Sequence, residues 1–391
     1  NTYRGVEATP LEIDGVLYFT GSFADVYAVS VETGKLLWKH DVEVWKHNPD
    51  KMHFIFPLNR GVAYAARGDI ERAGADFDKA LKIDPKNAIA WYNRGLAWRE
   101  RRDLDRAIQS FGEAVKLNAN YAAAYYNRGS ALEAKRDYDA AIADFDQAIK
   151  LRPATAAVWS ERGLAFGAKG DLDRAIADLS ESIKRDPQAA TAFYNRGVAY
   201  RLKGDSAHAL ADFGAAVTLD AKFSAAYAQR GSTYFAQHDY DRAIADLTEA
   251  IRYNPNDASA WSNRALAFRE KQDYDRAVND FSQALKLDPR NAALYDDRGV
   301  ALRLKGDLDH AVADFDAALK LDPKLAAAWH DRGTAYGLRG DNARAIADLS
   351  TALKLNGTDA VAFNNRGFAY RNEGDLDRAV ADFSEAIRLN A

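Results

Sequence analysis

Three side chains recur together along this chain, as in Asn93-Arg94-Gly95, and each is suited to a different task. Arginine stands at Arg60, Arg94, Arg128, Arg162, Arg196, Arg230, Arg264, Arg298, Arg332 and Arg366, always 34 residues from the next. Its planar fork can pair with a carboxylate through two parallel hydrogen bonds. An amide precedes it at Asn59, Asn93, Asn127, Asn195, Asn263 and Asn365, and the other copies carry Glu161, Gln229, Asp297 and Asp331. A primary amide donates and accepts at once, which matches the C=O and N–H of an extended peptide whatever its side chains. Glycine follows every arginine except Arg264, where Ala265 stands. It brings no chemistry, only room for another element to come close.

Other chemistry finds little to build on. There is no cysteine in the 391 residues, which excludes disulfides, thiol nucleophiles and thiolate metal sites. The seven histidines, His40, His47, His53, His208, His238, His310 and His330, show no helical metal-ligand spacing with one another. No glycine-rich phosphate loop, nucleophile elbow or repeated carboxylate dyad appears. No catalytic residue, metal site or cofactor is therefore expected. The formal net charge is −4, so no basic field draws the chain to nucleic acid or to an anionic membrane. Residues 1–53 hold eight acids and five bases, which leaves 49 and 48 in the rest. No run reaches the eighteen apolar residues of a membrane span.

Ten copies at one period of 34 residues indicate a helix–turn–helix solenoid, in which each hairpin buries its apolar face only against its neighbours. Residues 88–121 serve as the type unit, with Ala88 as position 1. A first helix from about Ala88 places Trp91, Gly95 and Trp98 on one face. "RRDLD" breaks it and Asp103 caps a second helix, which carries Ala107, Phe111, Ala114 and Val115 and ends near Asn118. The aspartates equivalent to Asp103, from Asp69 to Asp375, are read as caps. Gly95 is expected to face Ala107 where two helix axes approach. Position 23 is aspartate in nine units, Asp76, Asp144, Asp178, Asp212, Asp246, Asp280, Asp314, Asp348 and Asp382, with Ser110 the exception. Arginine at position 7 is expected to form an internal ion pair with it.

The pattern resembles the tetratricopeptide repeat over residues 54–391. Position 4 is aromatic at Trp91, Tyr125, Trp159, Phe193, Tyr227, Trp261, Tyr295, Trp329 and Phe363, and position 20 is alanine from Ala73 to Ala379. Position 24 is phenylalanine or leucine, from Phe77 to Phe383. Pro57, Ser182, Ala119, Ala221 and Gly357 depart from the family pattern, and arginine at position 7 departs throughout. The resemblance implies an all-α fold, a right-handed superhelix of about twenty antiparallel helices whose first helices line a concave groove. Position 6 would look into that groove, making the asparagines a ladder similar to the one in O-linked N-acetylglucosamine transferases. Arg99, Arg201, Arg269, Arg303 and Arg371, at position 12, would rim it and favour acidic segments. The lysines of the family's carboxylate clamp, at positions 2 and 5, are missing.

Residues 1–47 follow another rule. "VLYFTGS", "DVYAVSV" and "KLLWKHD" are short β-rich runs separated by turns, a β-meander signal. With "AVSVETGKLLW" they resemble one blade of the pyrroloquinoline-quinone (PQQ) alcohol dehydrogenases, although Ser30 stands where that docking motif has Asp. Glu7 matches a quinone-contacting glutamate of that family. One blade closes no pocket, so a redox activity is not expected. Residues 48–53 read as a linker, with Met52 directly before the repeats, so 1–51 are either a cap on the first unit or a fusion remnant. The chain starts at Asn1 without methionine, as a fragment or processed product does, and fits cytoplasm or periplasm equally. At the other end Phe383 and Ile387 are expected to be partly bare, as a surface for a continuing chain or for self-association. The leading reading is a non-catalytic scaffold that binds an extended peptide or partner protein in the groove. The alternative is a fragment of, or accessory to, a quinoprotein dehydrogenase.

Overall fold

The computed structural model describes residues 11–13, 16–20, 26–30, 36–40, 49–151 and 155–390. They fall into two compact units, Asn1–Pro187 and Gln188–Ala391. Glu7 and the turns of the β-rich segment lie outside the described residues.

The first unit opens with four strands, β1 (Leu11–Ile13), β2 (Val16–Thr20), β3 (Val26–Ser30) and β4 (Leu36–His40). They pair antiparallel in sequence order, with Tyr18 opposite Leu11 and Ala28, and Trp38 opposite Ala28 on its other edge. Helices follow: α1 (Pro49–Ala66), α2 (Ile70–Ile83), α3 (Ala88–Glu100), α4 (Leu104–Leu117), α5 (Ala122–Ala134), α6 (Tyr138–Leu151), α7 (Ala156–Ala168) and α8 (Leu172–Arg185). Most of the stretch read as a linker, 48–53, is therefore the first turn of α1. The second unit is helical among its described residues: α9 (Ala190–Leu202), α10 (Ser206–Leu219), α11 (Ser224–Ala236), α12 (Tyr240–Tyr253), α13 (Ala258–Glu270), α14 (Tyr274–Leu287), α15 (Ala292–Lys305), α16 (Leu308–Leu321), α17 (Ala326–Leu338), α18 (Asn342–Leu355), α19 (Ala360–Asn372) and α20 (Leu376–Asn390). Odd-numbered helices are the first of each hairpin and even-numbered ones the second.

Local chemistry sets these boundaries. Asp103 accepts a hydrogen bond from the Arg106 N–H at 3.1 Å, satisfying a free donor in the first turn of α4, and Asp69, Asp171, Asp239 and Asp273 do the same at equivalent helices. The tight turn just before that cap needs a left-handed residue. Gly306 provides it at φ 92°, but Arg102, Arg136, His238 and Gln272 adopt the same conformation against their side-chain preference.

The core runs along the second helices. Ala107 and Phe111 are fully buried, as are Ala141 and Phe145 in the first unit, and Ala277, Phe281, Ala311 and Phe315 in the second. Burying each phenylalanine stabilises by roughly 1.5–3 kcal/mol. The close approach at Gly95 is made by Phe111, which corrects the expected contact with Ala107. A Cβ on Gly95 would come within 2.5 Å of Phe111 Cε1. The ring has to lie flat on bare backbone, which is why the large residue sits at position 24 and the smallest at position 8.

The expected arginine–aspartate pairs form in nine hairpins. Arg264 Nε lies 2.7 Å from Asp280 Oδ2 and Nη2 lies 3.0 Å from Oδ1, a bidentate contact in which Asp280 is buried. Hydrogen bonding to Asp144 raises the Arg128 pKa further above its usual range, and Arg60 holds the Asp76 carboxyl below the carboxylate range. Arg94 is the exception that Ser110 imposes: its Nε turns to Asp78 of the preceding hairpin at 2.7 Å. That backward reach recurs in most of the later hairpins. The remaining nitrogen, Nη1, meets Asp146 from Arg162, Thr248 from Arg264, Ser282 from Arg298, Asp316 from Arg332 and Ser350 from Arg366, at 2.5–3.0 Å. The guanidinium also lies over the position-4 ring, 4.9 Å from Trp261 and 4.7 Å from Trp329. One arginine thus closes its own hairpin and staples it to the hairpin before.

Candidate binding face

Within each unit the first helices of neighbouring hairpins touch one another, whereas the second helices do not. The first helices therefore form the tighter layer. Their faces away from the second helices are a stripe of positions 2, 5, 6, 9, 12 and 13, spaced three or four residues apart. Small or half-exposed residues line it, among them Ala123, Ser130, Ser232, Thr334 and Val300.

The ladder asparagines lie on this stripe but differ in their bonds. Asn93 Nδ2 donates to the Ile89 carbonyl at 3.0 Å, one turn back in its own helix. Asn263 Nδ2 donates to Ser232 Oγ at 3.0 Å, and Asn365 Nδ2 to Thr334 Oγ1 at 3.1 Å, each on the preceding first helix. Asn127 is more heavily used: it donates to the Tyr92 hydroxyl at 3.1 Å and the Ala123 carbonyl at 2.9 Å, and accepts from Arg99. Asn127 is buried, whereas Asn59 is exposed and Asn195 half-buried.

The arginines expected on the rim are largely occupied by the ladder itself. Besides Arg99, Arg269 Nη1 donates to Asp297 at 3.2 Å and Arg303 Nη2 to Asp331 at 3.1 Å. Arg201 is exposed, and Arg371 lies over the Phe368 ring at 4.8 Å. Positions 6 and 12, treated in the sequence as separate rows, are one row of contacts between successive first helices. The spacing of 28 residues that joins them is readable in the sequence, but only geometry shows that the residues meet.

Two carboxyl groups on the stripe escaped the sequence reading. Asp296 is pushed up to about 7 by burial and by the like charges of Asp331 and Asp297, against which Arg303 and Arg269 act weakly. Its Oδ1 is buried without a hydrogen-bond partner among the described residues. Glu133 is also raised to about 7, by burial and by Glu161 on the next first helix. His330 Nδ1, on α17, lies 2.7 Å from Asp359 Oδ2, the cap of the next first helix, α19. No group of three or more potential metal ligands occurs among the described residues, and none of their helices is long and apolar enough to cross a membrane.

Tetratricopeptide repeat family models match residues 58–121, 160–222, 229–278 and 264–326, which is over half of the chain, and related models of the same repeat match 122–154, 326–359 and 360–391. A structure of the C-terminal part of a TPR repeat-containing protein from Cytophaga hutchinsonii superposes with a TM-score of 0.52 at 20% identity, covering 61% of this chain and 98% of that one. A glucose/ethanol/alcohol dehydrogenase β-propeller model matches residues 1–84, overlapping the first helical hairpin. The chain is 45% identical over 60 residues to quinohemoprotein alcohol dehydrogenase ADH-IIG of Pseudomonas putida, covering 15% of this chain. It is 47% identical over 64 residues, 16% of this chain, to the dehydrogenase subunit of a quinone-dependent alcohol dehydrogenase of Gluconacetobacter polyoxogenes. The match spans only 8% of the length of either relative. The helical repeats, by contrast, account for most of the molecule: the chain belongs to the tetratricopeptide repeat family.

Proposed function

We propose that the chain is a non-catalytic interaction scaffold that holds an extended segment of a partner protein along the stripe of its first helices. The observation that carries this reading is the state of the amides at Asn93, Asn263 and Asn365. Each is tied down through one N–H, while its Oδ1 receives no hydrogen bond from the described residues. An amide fixed in this way offers an acceptor to a peptide N–H at little further cost in side-chain entropy. Asn127, with its oxygen and both donors engaged, is a structural member of the ladder. Asn59 and Asn195 keep the role expected from the sequence, and Arg201 and Arg371 are the arginines left to favour acidic residues nearby. The array 54–391 acts as the binding domain, with 1–47 a separate β-rich segment.

A peptide library selected against the whole chain tests this. The best binder should lose about tenfold or more in affinity when Asn93, Asn263 and Asn365 are changed together to alanine, or when its backbone nitrogens are methylated. Unchanged affinity in both experiments would remove the ladder as the gripping element. The quinoprotein alternative rests on the 60-residue similarity at the start of the chain. It requires absorbance from bound quinone and calcium-dependent dye reduction, and the scaffold reading expects neither.

A further inference from the structure

We infer that the junction between α10 and α11 is a compliant joint, at which the hairpins on either side pivot while the other junctions of the second unit hold. Every later junction in that unit is stapled by the backward-reaching arginine, through Thr248, Ser282, Asp316 or Ser350. At the α10–α11 junction the acceptor position is Gly214, and Arg230 Nη1 has no side chain to meet there. A Cβ on Gly214 would lie 3.7 Å from that nitrogen. The neighbouring first helices add nothing directional. The other pairs in the unit are joined by Asn263–Ser232, Arg269–Asp297, Arg303–Asp331 and Asn365–Thr334, whereas no described side-chain hydrogen bond or ion pair links α9 to α11.

Two further absences fall at the same place. Ala221 replaces the proline whose carbonyl accepts from a tryptophan indole at Trp261 and Trp329, and Phe223 leaves α11 without a side-chain cap. Apolar contact takes over, with Phe223 5.0 Å from Tyr194 between ring centroids and Ala216, Val217 and Ala226 buried beneath. Apolar contact is non-directional and tolerates sliding, whereas a charge-assisted bond fixes an angle. The first unit holds a useful contrast. Gly112 likewise leaves Arg128 without an acceptor, and the Tyr121 ring packs at a tilt against Tyr92, 4.9 Å between centroids, but Asn127 bonds to Tyr92 and Arg99 and so locks that junction by another route. Among the described residues within each unit, only the α10–α11 junction combines the missing staple with missing ladder bonds. Motion there would change the spacing of the stripe on its two sides and let one scaffold fit segments of different length.

The chain has no cysteine, so spin labels can be placed cleanly in the full-length protein. Labels at Ala211→Cys and Asn279→Cys span the joint and one stapled junction; labels at Ala245→Cys and Ala313→Cys span two stapled junctions. Pulsed dipolar distance measurements should give a broader distribution for the first pair. Gly214→Asp, which gives Arg230 the acceptor that Asp146 and Asp316 supply elsewhere, should narrow it to the width of the second pair, and Gly214→Ser should act similarly. Gly214→Ala adds helix propensity without an acceptor and should leave it broad. Equal widths in the parent protein would overturn the proposal, as would equal narrowing by alanine and aspartate.

Discussion

Arg264 shows how much one side chain does in this fold. It bonds Asp280 twice, reaches Thr248 in the hairpin before, and covers the Trp261 ring, all with 14% of its side chain exposed. The ion pair was legible in the sequence, because arginine and aspartate recur at positions 7 and 23 on facing helices. The third bond was not, because its acceptor is aspartate, serine or threonine by turns. Changing Arg264→Leu alone leaves Asp280 buried and unpaired, at a cost of about 3–5 kcal/mol, whereas Arg264→Leu with Asp280→Leu should recover much of that loss. Urea unfolding of the four proteins of this cycle should give a coupling energy of about 1–3 kcal/mol. Additivity to within about 0.5 kcal/mol would mean that the pair is incidental.

At the scale of elements, helix starts and stops followed from caps and breakers, and the sequence placed them well: the expected start at Ala88, cap at Asp103 and end near Asn118 all hold. The contacts between successive first helices were harder to read. They join residues 28, 31 or 35 apart whose types change from unit to unit, so spacing alone does not show which of them meet. Asp296 on α15 is the sharpest case, sharing its surroundings with Asp297 on the same helix, Asp331 on α17, and the arginines Arg269 and Arg303. Its pKa, raised to about 7 from an ordinary 3.8, has a definite sign in stability. Well below pH 3.8 the carboxyl is neutral both folded and unfolded. As pH rises towards 7 the unfolded chain releases a proton that the folded one retains, so stability falls. Asp296→Asn should therefore be more stable than the parent at pH 8 by about 1–3 kcal/mol, with the advantage gone well below pH 3.8. A thermal melting series across that range checks it, and an unchanged difference at both ends would contradict it.

For the whole molecule, near-identical hairpins mean that stability is close to a sum of hairpin and junction terms, so that what distinguishes one stretch from another is the side chains on its stripe. The family and the hairpin array were legible because the period is strict. The bonding of the asparagines was only half legible. Their place on one face followed from spacing, but only the structure separates Asn127, locked between Tyr92 and Arg99, from Asn93, Asn263 and Asn365, whose oxygens receive no hydrogen bond from the described residues. That difference is the centre of the functional account and is directly measurable. Side-chain amide resonances of the full chain, followed while a selected peptide is titrated in, should move at Asn93, Asn263 and Asn365 and stay still at Asn127. Shifts confined to the second helices, with the three open amides unmoved at saturation, would contradict the account.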